Sequence, residues 1–280
     1  QKSIGLYGNK INSYTYNPQT PVYNSIFGIK YVYDKSSLID DGDFYTVSDK
    51  NTTYTAYENK YNLNIAFPVS NKITNWDSEL YSNPVDSQQE LFANATGIDG
   101  IYNKIYNYEF ICNNVYEISE EDKYLSSFSI YKIDNDTEAS ATATITTETN
   151  GHIYIYLYSR NLDSVSVYSP TINTSMTVSD GYILDLGYYN ANQNITVTMP
   201  IKNEETFANV DFVVFTVDNE KFIQGYNMLK SGQLEYSSFS DTKIEGTFSA
   251  DSDEILFTSI PYDKGWKVYI DGEKISDENI

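Results

Sequence analysis

Four carboxylates, Asp77, Glu79, Glu90 and Asp263, are the residue types a glycosidase needs. Such an enzyme sets two acids across a cleft, one to give a proton and one to act as base or nucleophile. An acidic chain supplies such pairs everywhere, and their spacing here marks no cleft. Three acidic turns, Asp40-Asp-Gly-Asp43, Asp134-Asn-Asp-Thr-Glu138 and Asp251-Ser-Asp-Glu254, offer oxygens to calcium. None has the alternating acids followed by glycine of a calcium loop. They read as solvated turns, with Asp134 and Asp136 the best placed. Cys112 is the single cysteine and His152 the single histidine. Cys112 ends the apolar run Tyr108-Glu-Phe-Ile-Cys112 and reads as an inert, buried thiol. One histidine excludes a multi-histidine metal site, and one cysteine excludes an internal disulfide. Gly5-Leu-Tyr-Gly8 lacks the lysine and the flanking strand of a phosphate loop. No catalytic residue and no metal ligand follow from these patterns.

A binding chemistry is better represented. Trp76 and Trp266 are the two tryptophans. Exposed rings stack on the apolar faces of sugars while charged groups and amides take the hydroxyls. Tyr262, Asp263, Lys264 and Trp266 have that composition on one corner, and with Trp76 they are the candidate glycan-binding residues. The competing expectation, and the preferred one, is that the Trp266 ring plugs the end of a core. In either case Gly265 should resist a β-branched replacement, because it shapes a short corner.

Composition narrows the setting. The chain has 280 residues, enough for a sizeable core in one or two domains. Its formal net charge is −21 and its only arginine is Arg160. Nucleic-acid phosphates need clustered Lys and Arg, so that partner class is excluded; an anionic bilayer surface would also repel the chain. No apolar run reaches the ~18 residues of a membrane span. No charged-then-apolar leader opens the sequence, so it is expected to begin in mature or excised sequence. Its richness in Tyr, Asn, Lys and Ile fits AT-rich coding, as in low-GC Gram-positive bacteria. In such an Asn- and Thr-rich chain the sequons at Asn51, Asn94, Asn135, Asn173 and Asn194 read as chance.

The elements that must position these groups are mostly strands. Residues 1–120 read as a mixed α+β region. Thr20 and Pro21 start a short helix closed by Gly28. Ser87-Gln-Gln-Glu90 reads as a capping box opening a second helix that ends by Gly97. Residues 121–280 read as an antiparallel, jelly-roll-like β-sandwich, with the loose boundary at 119–123. Tyr102–Val115 reads as one strand. In His152–Tyr158, Ile153, Ile155 and Leu157 share one face and Tyr154, Tyr156 and Tyr158 the other. One helix, residues 219–230, has Asp218 as N-cap and Gly232 at its end. Its stripe of Phe222, Ile223, Tyr226 and Leu229 should dock on a sheet. Near the C-terminus Pro261 stops a core strand, and Asp271-Gly272 turns a hairpin.

That last segment carries a resemblance. Ser259-Ile-Pro-Tyr-Asp-Lys-Gly-Trp266 followed by Asp271-Gly272 resembles the C-terminal signature of the YfhO family of bacterial polytopic membrane proteins. Tyr16-Asn-Pro-Gln-Thr-Pro-Val-Tyr-Asn-Ser-Ile-Phe-Gly-Ile-Lys-Tyr-Val32, Tyr57-Glu-Asn-Lys-Tyr61 and Thr242-Lys-Ile-Glu-Gly-Thr-Phe248 are similar to other blocks of the family. The Asn83-Pro84…Gln88-Gln89-Glu-Leu91 block departs from its pattern at Val85 and Gln89.

The resemblance implies a multi-spanning glycosyltransferase that draws sugar from a polyprenyl-phosphate donor and modifies envelope polymers such as lipoteichoic acid. Its catalytic acid is expected in loops between early membrane helices, which nothing here matches. This segment would then be a cofactor-free extracytoplasmic domain at the cell surface, soluble when excised. Its partners would be an envelope glycopolymer and its own transmembrane region. A structural, protein-binding ectodomain and a secreted carbohydrate-active enzyme are the alternatives.

Overall fold

The computed structural model describes residues 4–5, 7–10, 13–15, 19–35, 39, 42–181, 183–251, 253–261 and 263–276. The N-terminal layer opens with hairpin β1 (Tyr7–Lys10) and β2 (Ser13–Thr15), followed by α1 (Pro21–Ile26). A three-stranded antiparallel sheet follows, with β5 (Thr55–Asn59) between β3 (Tyr31–Asp34) and β4 (Tyr45–Lys50). Strand β6 (Ala66–Ser70) and helix α2 (Pro84–Thr96) complete the layer. Thr20 caps α1 by accepting from Tyr23 N–H, as the sequence predicts. Helix α2 starts one turn earlier than the Ser87 capping box predicts. Asn83 is its N-cap, accepting from Asp86 N–H, and Pro84 is preorganised at the first helical position. Gly97 ends α2 with φ 77°, a left-handed cap that favours glycine.

The middle of the chain supplies β7 (Tyr102–Lys104), β8 (Tyr108–Asn113), β9 (Ser127–Tyr131), β10 (Ser140–Thr146) and β11 (Gly151–Tyr158). Then come β12 (Val165–Tyr168), β13 (Asn173–Met176), β14 (Ile183–Tyr189), β15 (Asn194–Pro200) and the long β16 (Phe207–Val217). The first sheet has the order β13-β12-β15-β10-β8. The second runs β14-β11-β16, and β9 and β7 pair with successive halves of β16. All these pairings are antiparallel, consistent with the expected β-sandwich, and the sheets take in β7 and β8 from before residue 121. The predicted single strand over Tyr102–Val115 is two strands in different sheets. Ile105 N–H still bonds to Val214 O in the second sheet, and Tyr108 N–H folds back to Tyr106 O as the chain crosses to the first. Ile105 and Tyr108 on either side of the crossing both face the core between the sheets, so hydrophobicity alone hides it.

That core lies between the sheets, with Ala141, Ala143 and Ile145 of β10 facing Ile153, Ile155 and Leu157 of β11. The second sheet is buried on its other face as well. Tyr154 and Tyr156 of β11 and Val213 and Phe215 of β16 join a second core with the N-terminal layer. The molecule therefore has three layers, with the second sheet in the middle. Helix α3 (Asn219–Ser231) buries Phe222, Tyr226 and Leu229 in that second core, with Ile223 partly buried, and packs against α2 and β6 of the N-terminal layer. Gly225 lets α3 approach α2: a Cβ there would lie 2.3 Å from Phe92 Cζ.

The C-terminal strands pair outside both large sheets. β17 (Glu235–Phe239) and β18 (Ile244–Thr247) form a hairpin, and β19 (Glu254–Thr258) pairs with β6. β20 (Tyr269–Ile270) and β21 (Glu273–Lys274) flank Asp271 and Gly272, whose φ values of 51° and 85° make the expected primed turn.

Candidate binding surfaces

The predicted corner begins where β19 ends. Ser259 N–H bonds to Ile65 O, and the chain turns over residues 263–266. Asp263 organises that turn: its Oδ1 accepts from Gly265 N–H at 2.7 Å and its carbonyl from Trp266 N–H at 3.0 Å. Tyr262 lies outside the described residues.

Trp266 is 37% exposed and belongs to neither core, which corrects the expectation that it plugs the sandwich. The physical reason is that β19 pairs with β6 in the N-terminal layer, so the corner never reaches the end of the sandwich. Asp263 and Lys264 are exposed beside it, as are Tyr269 and Ile270 in the hairpin that follows. Gly265 is corrected in part: its φ is not positive, but a Cβ there would stand 3.1 Å from Asp263 Oδ1, a tight contact on the group that organises the turn.

Trp76 does not join this group. It is half-buried against the N-terminal core and donates from Nε1 to Ser87 O at 3.0 Å. In the β6–β19 ladder Ser70 faces Glu254 and Ala66 faces Thr258. Trp76 follows Ser70 and Trp266 follows Thr258, so the two leave opposite ends of the ladder. The same holds for the carboxylates. Asp77 caps a short 3-10 turn by accepting from Glu79 N–H. Asp77 and Glu90 both act on Tyr81, whose phenol is pushed up first by burial and then by Glu90 and Asp77. Asp263 sits on the far corner. A shallow apolar dimple near α2, with no room for a water, is lined by Ile26, Phe67, Val69, Ile73, Leu91, Ala95 and Phe257, with no titratable group.

Two nucleophile and metal candidates are also resolved. Cys112 is half-buried rather than fully buried, and it packs on the sandwich core. His152 lies on the other face of the second sheet, against the rings of Phe44, Tyr154 and Tyr188. The middle sheet thus separates the two. The sequence did not reveal the partner of His152. Its Nδ1 is 3.1 and 3.2 Å from the two Asp185 oxygens, and both side chains are almost fully buried. A carboxylate only accepts, so Nδ1 carries the proton. Gly187, with φ 91° in the β14 bulge, donates its N–H to Asp185 Oδ1 at 2.8 Å. Sealed by aromatic rings, this pair ties β11 to β14 within the second sheet. In the 134–138 turn, Asn114 Nδ2 donates to Asp134 O at 2.8 Å and Thr137 Oγ1 at 2.7 Å. Among the described residues no group of three or more His, Cys, Asp or Glu gathers to hold a metal.

A second surface, which the sequence reading missed, is the outer face of the first sheet. Opposite the inward Ala141, Ala143 and Ile145, Thr142 and Thr144 point out, as do Thr196 and Thr198 of β15. The signal was present as alternation in Ala141-Thr-Ala-Thr-Ile145 and Ile195-Thr-Val-Thr-Met199.

No curated protein matches the chain. Solved structures with similar parts include a family 29 carbohydrate binding module from Piromyces equi, at 12% identity and TM-score 0.27, over 41% of this chain and 89% of that one. A family 35 carbohydrate binding module from Clostridium thermocellum matches at 10% identity and TM-score 0.25, over 41% of this chain and 98% of that one. The enzymatically active domain of bacteriophage CBA120 tailspike protein 4 matches at 11% identity and TM-score 0.26, over 39% of this chain and 19% of that one. Likenesses of that size say nothing of what this chain binds. No helix of the described residues is long and apolar enough to cross a membrane. The profile of the family described as bacterial membrane protein YfhO matches residues 1–280, from the first residue to the last, and the chain belongs to that family.

Proposed function

We propose that this chain is a non-catalytic, extracytoplasmic module of a membrane glycosyltransferase, turned toward a cell-envelope glycopolymer such as lipoteichoic acid. It would recognise or position the acceptor while the membrane region handles the polyprenyl-phosphate sugar donor. The observation that carries the reading is the exposed Trp266 ring on a turn that also presents Asp263 and Lys264. An exposed indole beside hydrogen-bonding groups suits the apolar face and hydroxyls of a sugar. Of the carboxylates, Asp77 and Glu90 flank Tyr81, while Asp263 lies beyond the other end of the β6–β19 ladder.

The net charge of −21 sets a condition on the acceptor. A bare poly(glycerol phosphate) chain would be repelled. Sugar or alanyl substituents, or bridging cations, would lessen that repulsion. The test is binding of purified lipoteichoic acid to the 280-residue chain, with and without Trp266→Ala, at fixed salt. Binding that the substitution weakens supports the reading. No binding, or turnover of a polyprenyl-phosphate sugar by the chain alone, refutes it.

A further inference from the structure

We propose that the outer face of the first sheet is a binding face for a neutral, polyhydroxylated glycan chain. The proposal rests on the polymer-facing reading and adds a site distinct from the Trp266 corner. The second sheet is covered on both sides, but among the described residues the first is covered only by the second. None of its outward residues in β8, β10, β12, β13 or β15 is buried.

The chemistry of this face is unusual for this chain. Register places Glu109, Thr144, Thr196 and Tyr168 in one row across four strands, at about 4.8 Å per strand. In the adjacent row Thr142 and Thr198 lie side by side, their hydroxyls 3.1 Å apart. Hydroxyls both donate and accept, so such rows meet a polyol in either sense. Tyr168 is 59% exposed. Its ring is a flat apolar surface with few rotatable bonds, which loses little entropy on stacking. Thr196 Oγ1 donates to the Tyr168 carbonyl at 3.3 Å, which fastens that end of the row.

Threonine is ordinary on strands, so threonine alone would mean only a solvated sheet. What departs from that is charge. A chain with 20% charged residues and a net charge of −21 places a single charge, Glu109, at the paired outward positions of this face. Solvated faces normally carry mixed charges. A polyanion gains nothing from an uncharged face on an acidic body. A neutral polyol finds hydrogen-bonding partners without having to strip water from ions. Charge complementarity therefore selects the neutral occupant.

The test is isothermal titration of the 280-residue chain with neutral linear gluco- and manno-hexasaccharides, and separately with purified lipoteichoic acid. Wild type should bind at least one neutral hexasaccharide. Tyr168→Ala should weaken that binding roughly tenfold or more, as truncating a buried aromatic anchor does. Tyr168→Phe keeps the stacking face and should stay within a few-fold. Thr144→Asp and Thr196→Asp should weaken binding by adding charge. Far-ultraviolet circular dichroism confirms that each variant is folded, and amide shift changes should map to outward residues of β10, β12 and β15. Failure of wild type to bind either hexasaccharide overturns the proposal. So does hexasaccharide binding that Tyr168→Ala leaves intact. Lipoteichoic acid bound through Trp266 without hexasaccharide binding refutes the sheet face and leaves the corner standing. Hexasaccharide binding through Tyr168 without lipoteichoic acid binding supports the sheet face and refutes the lipoteichoic-acid reading of the corner.

Discussion

Replacing Gly225 with alanine tests how the N-terminal layer is held to the rest of the molecule. Gly225 sits inside α3, where alanine should by propensity alone stabilise the helix by about 1 kcal/mol. The contact with α2 opposes this. A Cβ at Gly225 would stand 2.3 Å from Phe92 Cζ, 2.6 Å from Phe92 Cε1 and 3.2 Å from Thr96 Cγ2. Phe92 cannot swing aside cheaply, because it is 1% exposed and packs against Phe222 at 6.2 Å between ring centroids. Forcing an extra carbon into such a site costs about 1–3 kcal/mol. Overpacking therefore wins, and Gly225→Ala should destabilise by about 1 kcal/mol net. Gly225→Val, larger and a poorer helix former, should cost more than about 2 kcal/mol. Urea unfolding followed by tyrosine and tryptophan fluorescence measures both. A double-mutant cycle isolates the cause: with Phe92→Leu in place, Gly225→Ala should lose its penalty, giving a coupling of about 1 kcal/mol or more. An alanine variant more stable than wild type would refute the close approach of α2 and α3.

Three further outcomes are expected. Trp266→Ala should leave stability within about 0.5 kcal/mol, while Phe222→Ala, fully buried beside Phe44, Tyr61 and Phe92, should cost about 3–5 kcal/mol; equal losses in urea would sink the placement of Trp266. Thr20→Ala should cost about 1–2 kcal/mol, because its hydroxyl accepts from Tyr23 N–H and donates to Gln88 Oε1 at 2.6 Å; a neutral effect in thermal melts would contradict this capping role. Burial pushes Asp211 above the usual carboxylate range, with the Ser127 hydroxyl pulling back. The folded chain thus holds that proton more tightly than the unfolded chain does, so the stabilisation is present at acid pH and is lost as pH rises through the raised value. Asp211→Asn should therefore be more stable than wild type at neutral pH and converge with it below about pH 4; parallel curves would refute the shift.

Local patterns in the sequence predicted local structure well and long-range partners poorly. Asp218, Asp271-Gly272 and the Phe222–Leu229 stripe each act within a few residues, and each has its expected form. The alternation in His152–Tyr158 separated two faces correctly, because a strand has period two. It could not say that the tyrosine face would be covered, since the cover comes from α2, α3 and residues near Phe44. Trp266 failed for the same reason. Its burial depended on which strand β19 pairs with, and β6 lies far back in the chain. The start of α2 failed locally instead. Two N-cap signals stand one turn apart, and Asn83-Pro84 prevails because proline fixes φ at the first helical position. Of the candidate binding residues, Asp263, Lys264 and Trp266 share a corner and Trp76 does not.

The buried polar groups explain why one sheet face is left open. Tyr102 of β7 donates to Gln88 Oε1 of α2 at 2.6 Å, and Gln88 Nε2 donates to Ile4 O at 2.7 Å. His152 and Asp185 cross-link β11 and β14 beneath Phe44. Apolar layers can slide over one another at small cost. Buried hydrogen bonds cannot, because a displaced partner is left unsatisfied at about 1–3 kcal/mol. The Tyr102–Gln88 bond thus fixes the N-terminal layer in register on the middle sheet, and among the described residues the first sheet is left uncovered. Apolar contacts back that sheet on its inner side from β8 to β12. Its outward rows are therefore held by a rigid support rather than by loops, which suits a surface that must present hydroxyls at fixed spacing. The Trp266 corner rests on the short β6–β19 pair and is built from turns. A ligand meeting both would find one preformed, neutral face and one charged, aromatic turn.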